Sequence, residues 1–381
     1  MRFHRRGDAA SALPLPLALG HFVPWYTLEP DDFPLPPELA APLNWMPPIE
    51  PNRHWNDARA GYRRTHLHMP QSGPYDSRNP DVIEWQIRTA LEHGIEGFII
   101  NWYGKYSVEN VITLHWLNGL LRWNSAHPDQ PFTYFLSLDS QARDATEGKR
   151  PVSLHEDLMF VRDHLMTDAW LCRDGHPLFS VFPYEDDAAL WVSELESVFG
   201  ADEVDLVWMN SAPGAGETAV YPWIRPSDPS LEVVADHAWS DPNDAGTAWL
   251  ESFYRATNRQ SGLAYLMGAV WPGFDDQLVS WAWNPHRDPA TIRPRVMCRE
   301  TTQGNTLSQT CAVALDYIKR WATGEADCPL ALPLIQVVTW NDYAEASTVE
   351  PTRDYGTGPL DTIRTFVHEA RRVWPTAPTA P

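Results

Sequence analysis

Carboxylate side chains recur in this sequence directly after short apolar segments. The carboxylates in that position are Asp139, Glu185, Asp275, Asp276, Asp342 and Glu345. Two carboxyl groups that face one cleft can cleave a glycosidic bond, because one protonates the leaving oxygen while the other acts as base or nucleophile. The residue pattern alone leaves the pair open, since each carboxylate could equally be a solvated loop side chain or a helix N-cap.

Aromatic and polar side chains accompany these carboxylates. Tryptophan is abundant, with 19 in 381 residues, and a surplus of indole must either pack a core or line a binding face. Sugar rings present flat C–H surfaces that stack on indoles, so a Trp-rich cleft favours carbohydrate. The accompanying side chains are Trp25, Tyr26, Asn101, Trp102, Tyr103, Tyr184, Asn210, His237, Trp239, Trp271, Trp340, Asn341 and Tyr343.

Apolar segments that are nearly continuous, rather than alternating, must position these side chains. The segments cover residues 15–26, 94–104, 131–139, 176–185, 204–210, 232–240, 265–276 and 333–345. Such runs indicate strands that are buried on both faces, as in a parallel sheet. We therefore predict eight parallel strands whose carboxyl ends meet at one face.

Segments with a helical spacing of apolar residues separate most of these strands. They cover residues 80–94, 107–124, 153–166, 187–200, 245–259, 306–322 and 359–374, and only 211–231 lacks a clear helix. This alternation predicts an α/β fold, a (β/α)8 TIM barrel with long loops on its C-terminal face. The alternative is an open doubly wound sheet. That sheet would want a glycine-rich turn after its first strand, where this chain has HFVPWYTLEP.

We predict one catalytic domain over residues 1–381, with a core from about 13 to 375. The chain exceeds the ~250 residues of a bare barrel, and its 35 scattered prolines indicate long, rigid loops. Loops 27–79 and 277–304 are expected to lie over the C-terminal face. Residues 1–20 begin with basic and then apolar residues, but Pro14 and Pro16 interrupt the apolar run. We interpret this segment as a tail that enters the first strand.

The segment TWNDYAEASTVEP (339–351) resembles the last-strand signature of two related glycoside hydrolase families, 71 (endo-α-1,3-glucanases) and 99 (endo-α-mannosidases). The Trp-Asn-Asp-Tyr-Gly-Glu stretch of family 71 is similar to Trp340 to Glu345. Family 99 has Phe-Asn-Glu-Trp-His-Glu and then an apolar residue with Glu-Pro, which resembles Val349-Glu350-Pro351. Weaker matches are VPWY (23–26), HWN (54–56), GIEGFIINWYG (94–104) and WPGFDD (271–276).

The resemblance implies that Asp342 and Glu345 are the two catalytic carboxylates of a barrel enzyme. In family 99 the first carboxylate acts as base on the sugar's own 2-hydroxyl to form an epoxide-like intermediate, and the second is the acid/base. Carried over to this chain, Asp342 would be the base or nucleophile and Glu345 the general acid. The spacing does not set the carboxylate separation, so inversion (~6.5–9.5 Å) and retention (~5–5.5 Å) both stay open.

Two departures from the families bear on the substrate. Ala344 stands where family 71 has glycine and family 99 has histidine, which changes how the turn can close on a sugar. Asp139-Ser140-Gln141 stands where family 99 has Glu-Pro-Tyr after the third strand. This second difference favours an α-glucan or another α-linked glycan over an α-mannoside.

Further side chains at the strand ends and in the first loop are predicted to bind the substrate. They are Tyr26, His54, Trp102, Tyr103, Asp139, Glu185, His237, Trp271, Asp275 and Asn341. The two histidines could instead be structural, and Asp275 and Asp276 could instead hold a loop.

The charge balance restricts the partners. With 29 basic against 50 acidic residues the formal charge is −21, which repels phosphate backbones and anionic lipid. We expect a neutral oligo- or polysaccharide as partner, and neither nucleic acid nor membrane. No apolar run approaches ~18 residues, and we expect a cytoplasmic protein.

The cysteines indicate neither a zinc site nor a redox motif. Cys172, Cys298, Cys311 and Cys328 show no CxxC and no zinc-ligand spacing. We expect four reduced thiols, with one disulfide among the last three left open, and we expect no cofactor and no metal.

Two other functions compete with glycoside hydrolysis. A metal-dependent barrel hydrolase could use His66-x-His68, but in those enzymes the pair ends the first strand, whereas here it lies far beyond it. A non-catalytic carbohydrate-binding barrel would keep the tryptophan rim but could lose the carboxylates, and both are present. The sugar, its linkage, endo or exo action and the oligomeric state are not indicated.

Overall fold

A computed structural model of the protein describes residues 1–28, 33–40, 42, 46–55, 67–144, 152–183, 188–210, 216, 218–227, 239, 241–278 and 295–375. The strands are β1 (Phe3–Arg5), β2 (Leu17–Phe22), β3 (Ile95–Trp102), β4 (Thr133–Asp139), β5 (Leu171–Arg173), β6 (His176–Phe182), β7 (Asp205–Met209), β8 (Ala219–Tyr221), β9 (Tyr265–Val270), β10 (Phe274–Asp275), β11 (Val296–Met297), β12 (Glu300–Thr301), β13 (Gly304–Asn305) and β14 (Leu334–Val337). The helices are α1 (Pro37–Ala40), α2 (Pro80–Glu92), α3 (Val108–Ala126), α4 (Ser140–Asp144), α5 (Leu154–Phe160), α6 (Ala188–Phe199), α7 (Thr247–Thr257), α8 (Thr306–Ala322) and α9 (Gly358–Val373).

Parallel strand pairing closes a barrel. Among the described residues, eight strands follow one another around it in the order β2, β3, β4, β6, β7, β8, β9 and β14. The ring closes where β14 pairs with β2, from Leu334 opposite Leu17 to Val337 opposite Gly20. The predicted (β/α)8 barrel is confirmed, and the carboxyl ends of all these strands lie at one face, where such barrels place their sites.

The sixth barrel strand differs from the prediction. Ala219–Tyr221 occupies that place, with Val207 of β7 and Tyr265 of β9 as the partners of Ala219. The sixth barrel strand is therefore not the predicted segment 232–240, of which only Trp239 lies within the described residues. A strand of three residues, set in a segment rich in glycine and proline, is too short to stand out as an apolar run.

The helices between the strands begin at capping residues that the sequence supplies. Asn79 accepts a hydrogen bond from the amide of Asp81, and Pro80 opens α2. Ser107 caps α3 in the same way, and Ser153 with Glu156 forms a capping box at α5. Within the described part of the chain, none of the helices is long and apolar enough to cross a bilayer.

The core lies between the barrel and its helices and accounts for much of the tryptophan surplus. The largest completely buried side chains include Trp102, Trp116, Trp170, Trp191, Trp271 and Trp340. Burial of such rings contributes strongly to stability because each removes a large apolar area from water. All four cysteines are free thiols, and Cys172, Cys311 and Cys328 are buried in this core.

The first residues form part of the fold, where the sequence suggested a tail. Strand β1 pairs antiparallel with β5, and Phe3 lies opposite Arg173. The Phe3 ring is fully buried and meets the ring of Tyr265 edge-on at 5.6 Å between centroids. The N-terminal segment therefore contributes to the core at the amino-terminal end of the barrel.

We expect Phe3→Ala to lower the free energy of unfolding by about 3–5 kcal/mol, because it leaves a cavity against Tyr265. The measurement is denaturant-induced unfolding monitored by tryptophan fluorescence. Leu190→Ala is the control, since Leu190 on α6 is 53% exposed and should change stability by no more than about 0.5 kcal/mol. Equal effects of the two variants would show that β1 is not part of the cooperative fold.

Candidate active site

The turn after the last strand, residues 338–350 (the β14 turn), presents Asp342 and Glu345 next to each other. The Asp342 side chain is only 3% exposed, and its Oδ1 accepts a hydrogen bond from the Glu345 amide at 2.8 Å. The Asp342 amide donates to Thr339 Oγ1 at 2.9 Å. Among the described residues no basic side chain forms an ion pair with Asp342. Glu345 is half-buried.

The electrostatics of this pair favour a single ionised carboxylate. Burial raises the pKa of Asp342 well above its ordinary value, and the negative charge of Glu345 raises it further. The amides of Glu345 and Ala344 oppose this rise because they stabilise the charged form. Two carboxylates coupled in this way lose their protons in two separated steps, which is the condition that acid and base catalysis by a pair requires.

A second buried carboxylate, Glu350, holds the β14 turn. Its Oε1 accepts from Gln86 Nε2 at 2.7 Å and from Trp340 Nε1 at 3.0 Å. Its Oε2 accepts from the hydroxyls of Tyr75 at 2.8 Å and Tyr343 at 2.5 Å. Glu350 is 1% exposed, and burial raises its pKa. Because four N–H and O–H groups already donate hydrogen bonds to its two oxygens, this arrangement fits an ionised carboxylate.

Tyr26 and Asn341 join the segment directly after β2 to the β14 turn. Asn341 Oδ1 accepts a hydrogen bond from the Val23 amide at 2.9 Å, and Asn341 Nδ2 donates one to the Val23 carbonyl at 3.0 Å. The Tyr26 hydroxyl donates to the Asn341 carbonyl and accepts from the Tyr343 amide, each at 3.1 Å. Both side chains are fully buried. They hold the turn in this structure, and their contact with substrate stays a prediction.

Trp102 and Trp271 are likewise enclosed, and their role in substrate binding stays a prediction. Both are 0% exposed. The Trp102 indole donates to Asn110 on α3 at 2.9 Å, and the Trp271 indole donates to the Ala245 carbonyl at 3.0 Å. Each therefore packs between the barrel and the outer layer, away from the barrel axis.

Side chains from three neighbouring strands form a polar rim beside the β14 turn. The Tyr103 hydroxyl accepts hydrogen bonds from the Trp25 indole at 2.8 Å and from Asn101 Nδ2 at 3.0 Å. Asn101 Nδ2 also lies 3.3 Å from Asp139 Oδ2. The His54 ring stacks on Trp25 with centroids 5.0 Å apart. The predicted rim residues Tyr103, His54 and Asp139 are thus brought together.

The charge distribution connects this rim with Asp342. Burial raises the pKa of Tyr103 well above its ordinary value, and the negative charges of Asp139, Glu109 and Asp342 raise it further. Tyr103 therefore stays protonated and can donate a hydrogen bond at all physiological pH values. Glu109 is buried and pairs with Arg53 at 2.5 Å, which anchors the segment that carries His54.

Asp275 and Asp276 differ in their surroundings. The Asp275 amide donates to the Glu345 carbonyl at 2.8 Å, and its half-buried carboxylate accepts from the Gln277 amide at 3.0 Å. Asp276 is buried and pairs with Arg295 at 2.7 Å, so it holds the loop after β9. Two other predicted ligand-binding residues, Glu185 and His237, lie outside the described residues.

The described residues contain no group of three or more His, Cys, Asp or Glu side chains that could hold a metal ion. Of the two histidines that could suggest a metal hydrolase, His66 lies outside the described ranges. His68 Nδ1 is 3.0 Å from Asp354 Oδ2, and its ring meets Tyr355 edge-on.

Sequence reasoning missed several residues that build the site. Glu350 could have been found, because it belongs to the Glu-Pro pair of the family signature. Arg299, Arg53 and Glu109 carry no recognisable signal, since their partners are backbone carbonyls or residues far away in the chain.

Comparison with solved structures identifies the architecture. An endo-α-mannosidase of glycoside hydrolase family 99 from Bacteroides thetaiotaomicron matches with a TM-score of 0.57 and 14% sequence identity, over 95% of this chain and 99% of that one. Its complex with bis-tris-propane matches equally well. A protein described as glycoside hydrolase-like matches with a TM-score of 0.53 and 14% identity, over 96% and 99% of the two chains. This chain has the (β/α)8 barrel fold of these proteins.

No family model and no curated protein matches the chain. The likeness to the solved barrels, at 14% identity, establishes the fold and confirms at that level the resemblance found in the sequence. It does not by itself assign the residues of the site, which depend on the geometry described above.

Within this barrel, Asp275→Asn should change stability in a pH-dependent way. Burial and the charge of Asp276 raise the pKa of Asp275 from 3.8 to about 6. The folded protein therefore holds the proton more tightly than the unfolded chain, and stability falls as pH rises through this window. We expect the variant to melt at a higher temperature than the parent protein at pH 7.5, with the difference vanishing below about pH 4.

The measurement is thermal unfolding at both pH values and one ionic strength. Asp129→Asn, at an exposed position after α3, serves as the matched control. A lower melting temperature of Asp275→Asn at pH 7.5 would contradict the expectation.

Proposed function

We propose that the protein is a glycoside hydrolase that cleaves an α-linked glycan, with Asp342 as base or nucleophile and Glu345 as general acid. The observation that carries this proposal is the pairing of the two residues. The Asp342 carboxylate accepts a hydrogen bond from the Glu345 amide. Both residues lie in a turn at the carboxyl end of the last barrel strand, where barrel enzymes carry their catalytic residues.

The division of roles follows from the surroundings of each carboxylate. Burial favours a proton on Asp342. An oxocarbenium-like sugar against that carboxylate would favour its ionised form, because an opposite charge lowers a carboxyl pKa. The amides of Ala344 and Glu345 also stabilise its charge. Glu345 is the more exposed of the two, so it can exchange a proton with solvent between turnovers.

A substrate without charge suits the rest of the protein. The formal charge of −21 disfavours anionic polymers. Asp139 stands where family 99 has glutamate. Its Oδ1 accepts a hydrogen bond from the Ala142 amide at 2.9 Å, and its Oδ2 accepts one from Asn101 Nδ2. We propose that Asp139, Tyr103 and His54 contact the sugar. The different acid at position 139 supports an α-glucan, or another α-linked glycan, rather than an α-mannoside.

A non-catalytic carbohydrate-binding barrel is the main competing function. Asp342 is buried without a basic partner among the described residues, which lowers stability because a desolvated carboxylate is costly to ionise. A binding module gains nothing from such a group, whereas a hydrolase needs it. Strongly perturbed carboxylates in a cleft are typical of catalytic sites.

A hydrolysis screen with neutral α-linked oligosaccharides and polysaccharides tests the proposal. Asp342→Asn and Glu345→Gln should each lower turnover by at least ~10³-fold, on the scale of general acid–base contributions. Glu369→Gln, an exposed acid on α9, should retain the parental rate, and circular dichroism should show the same fold in all variants. Binding without turnover by the parent protein would favour the non-catalytic function.

The pH dependence of kcat/KM tests the roles separately. If Asp342 must be ionised, the rate falls as pH decreases through its pKa, which burial raises. Glu345 has to hold its proton in the active form, so the rate should also fall at higher pH, where Glu345 ionises. Glu345→Gln should therefore keep the acidic limb and remove the basic limb. A basic limb that persists in this variant would show that Glu345 is not the titrating acid.

A further inference from the structure

The loop after β9 supplies the hydrogen-bond donors that fix the main chain around Glu345. The Asp275 amide donates to the Glu345 carbonyl at 2.8 Å. Arg299 Nη2 donates to the Ala346 carbonyl at 2.9 Å and to the Thr348 carbonyl at 2.5 Å. Three carbonyls in the second half of the β14 turn therefore bond to a segment that is remote in sequence.

Arg299 is an unusual residue for such a task. Its side chain is 8% exposed, and among the described residues it makes no ion pair with a carboxylate. Its guanidinium lies 4.8 Å from the centre of the Tyr355 ring. Burial lowers its pKa to about 10, so it remains charged at neutral pH. Burying a cation without an anionic partner is unfavourable, and a fold that needed only a loop contact could use an uncharged donor.

The backbone around this contact is adapted to it. Ala346 has a φ of 53°, in the left-handed region that an alanine rarely adopts, and Arg299 bonds its carbonyl and that of Thr348. Gly273 has a φ of 144°, and a Cβ there would lie 2.8 Å from the Met297 carbonyl and 3.0 Å from Arg299 Cγ. The glycine therefore leaves the space in which Arg299 reaches the turn.

We propose that Arg299 is a positioning residue for Glu345. Together with the Asp275 amide, it sets the direction in which the Glu345 side chain leaves the turn, and hence its distance from the glycosidic oxygen. This inference rests on the proposed function, in which Glu345 protonates the leaving group. A displacement of a catalytic group by about 1 Å can lower the rate about 10²-fold, so the contact acts on the proton-transfer step.

Dependence on the leaving group distinguishes this role from a merely structural one. The probes are an α-linked oligosaccharide that the parent protein hydrolyses and the glycosyl fluoride of the same sugar. Fluoride departs without protonation. Arg299→Gln should lower kcat/KM, which covers the steps up to departure of the leaving group, by about 10²-fold for the oligosaccharide and only a few-fold for the fluoride. Glu345→Gln is the benchmark with the same signature. Arg364→Gln, an exposed arginine on α9, is the control and should match the parent.

The outcomes separate the two proposals. If Glu345→Gln itself shows no leaving-group dependence, the assignment of the general acid fails. If Glu345→Gln shows it but Arg299→Gln slows both probes equally, Arg299 is only structural and the inference is overturned. Should Arg299→Gln not fold, Arg299→Lys decides. Lysine keeps the positive charge and a single nitrogen that can donate to the turn, and this variant should show the same selective loss with a smaller magnitude.

Discussion

A carboxylate buried among four uncharged donors holds the candidate site together. Glu350 receives its hydrogen bonds from Tyr75 in the first loop, Gln86 on α2, and Trp340 and Tyr343 in the β14 turn. Hydrogen bonds to a charged acceptor are about twice as strong as neutral ones, and a water-poor interior strengthens them further. Because the donors come from separate parts of the chain, one side chain ties the turn to the first loop and its following helix. The position of Asp342 depends on this network.

The β14 turn is thus held by two buried charges of opposite sign that do not form ion pairs. Glu350 bonds the first half of the turn and Arg299 the second half, each through uncharged partners. Isolated charges in a low-dielectric interior are unfavourable, and the large aromatic core has to offset them. The directional bonds that they make are what a reactive turn needs, since acid catalysis tolerates little displacement of its groups. Stability and geometry therefore come from different parts of the protein.

Much of the fold follows from patterns that the sequence displays openly. Seven of the predicted strands are found, because buried parallel strands are continuous apolar runs, and capping residues such as Asn79 and Ser107 mark where helices begin. The exception is β8. Its three residues form a strand because they pair with β7 and β9, and they are too few to form a recognisable apolar run. The sequence also does not predict that β1 belongs to the fold, since its partner strand, β5, lies far away in the chain.

The site is harder to predict than the fold, because successive residues of a strand point to opposite faces. At the end of β3, Asn101 faces the rim, Trp102 packs on α3, and Tyr103 faces the rim again. An aromatic residue at a strand end can therefore be fully buried in the core, as Trp102 and Trp271 are. The register of each strand decides which residues face the polar rim, and register is set by pairing between strands, which no single segment reveals. The carboxylate pair escapes this ambiguity because it lies in a turn, where the hydrogen bond from the Glu345 amide to Asp342 makes the two residues neighbours whatever the register of β14.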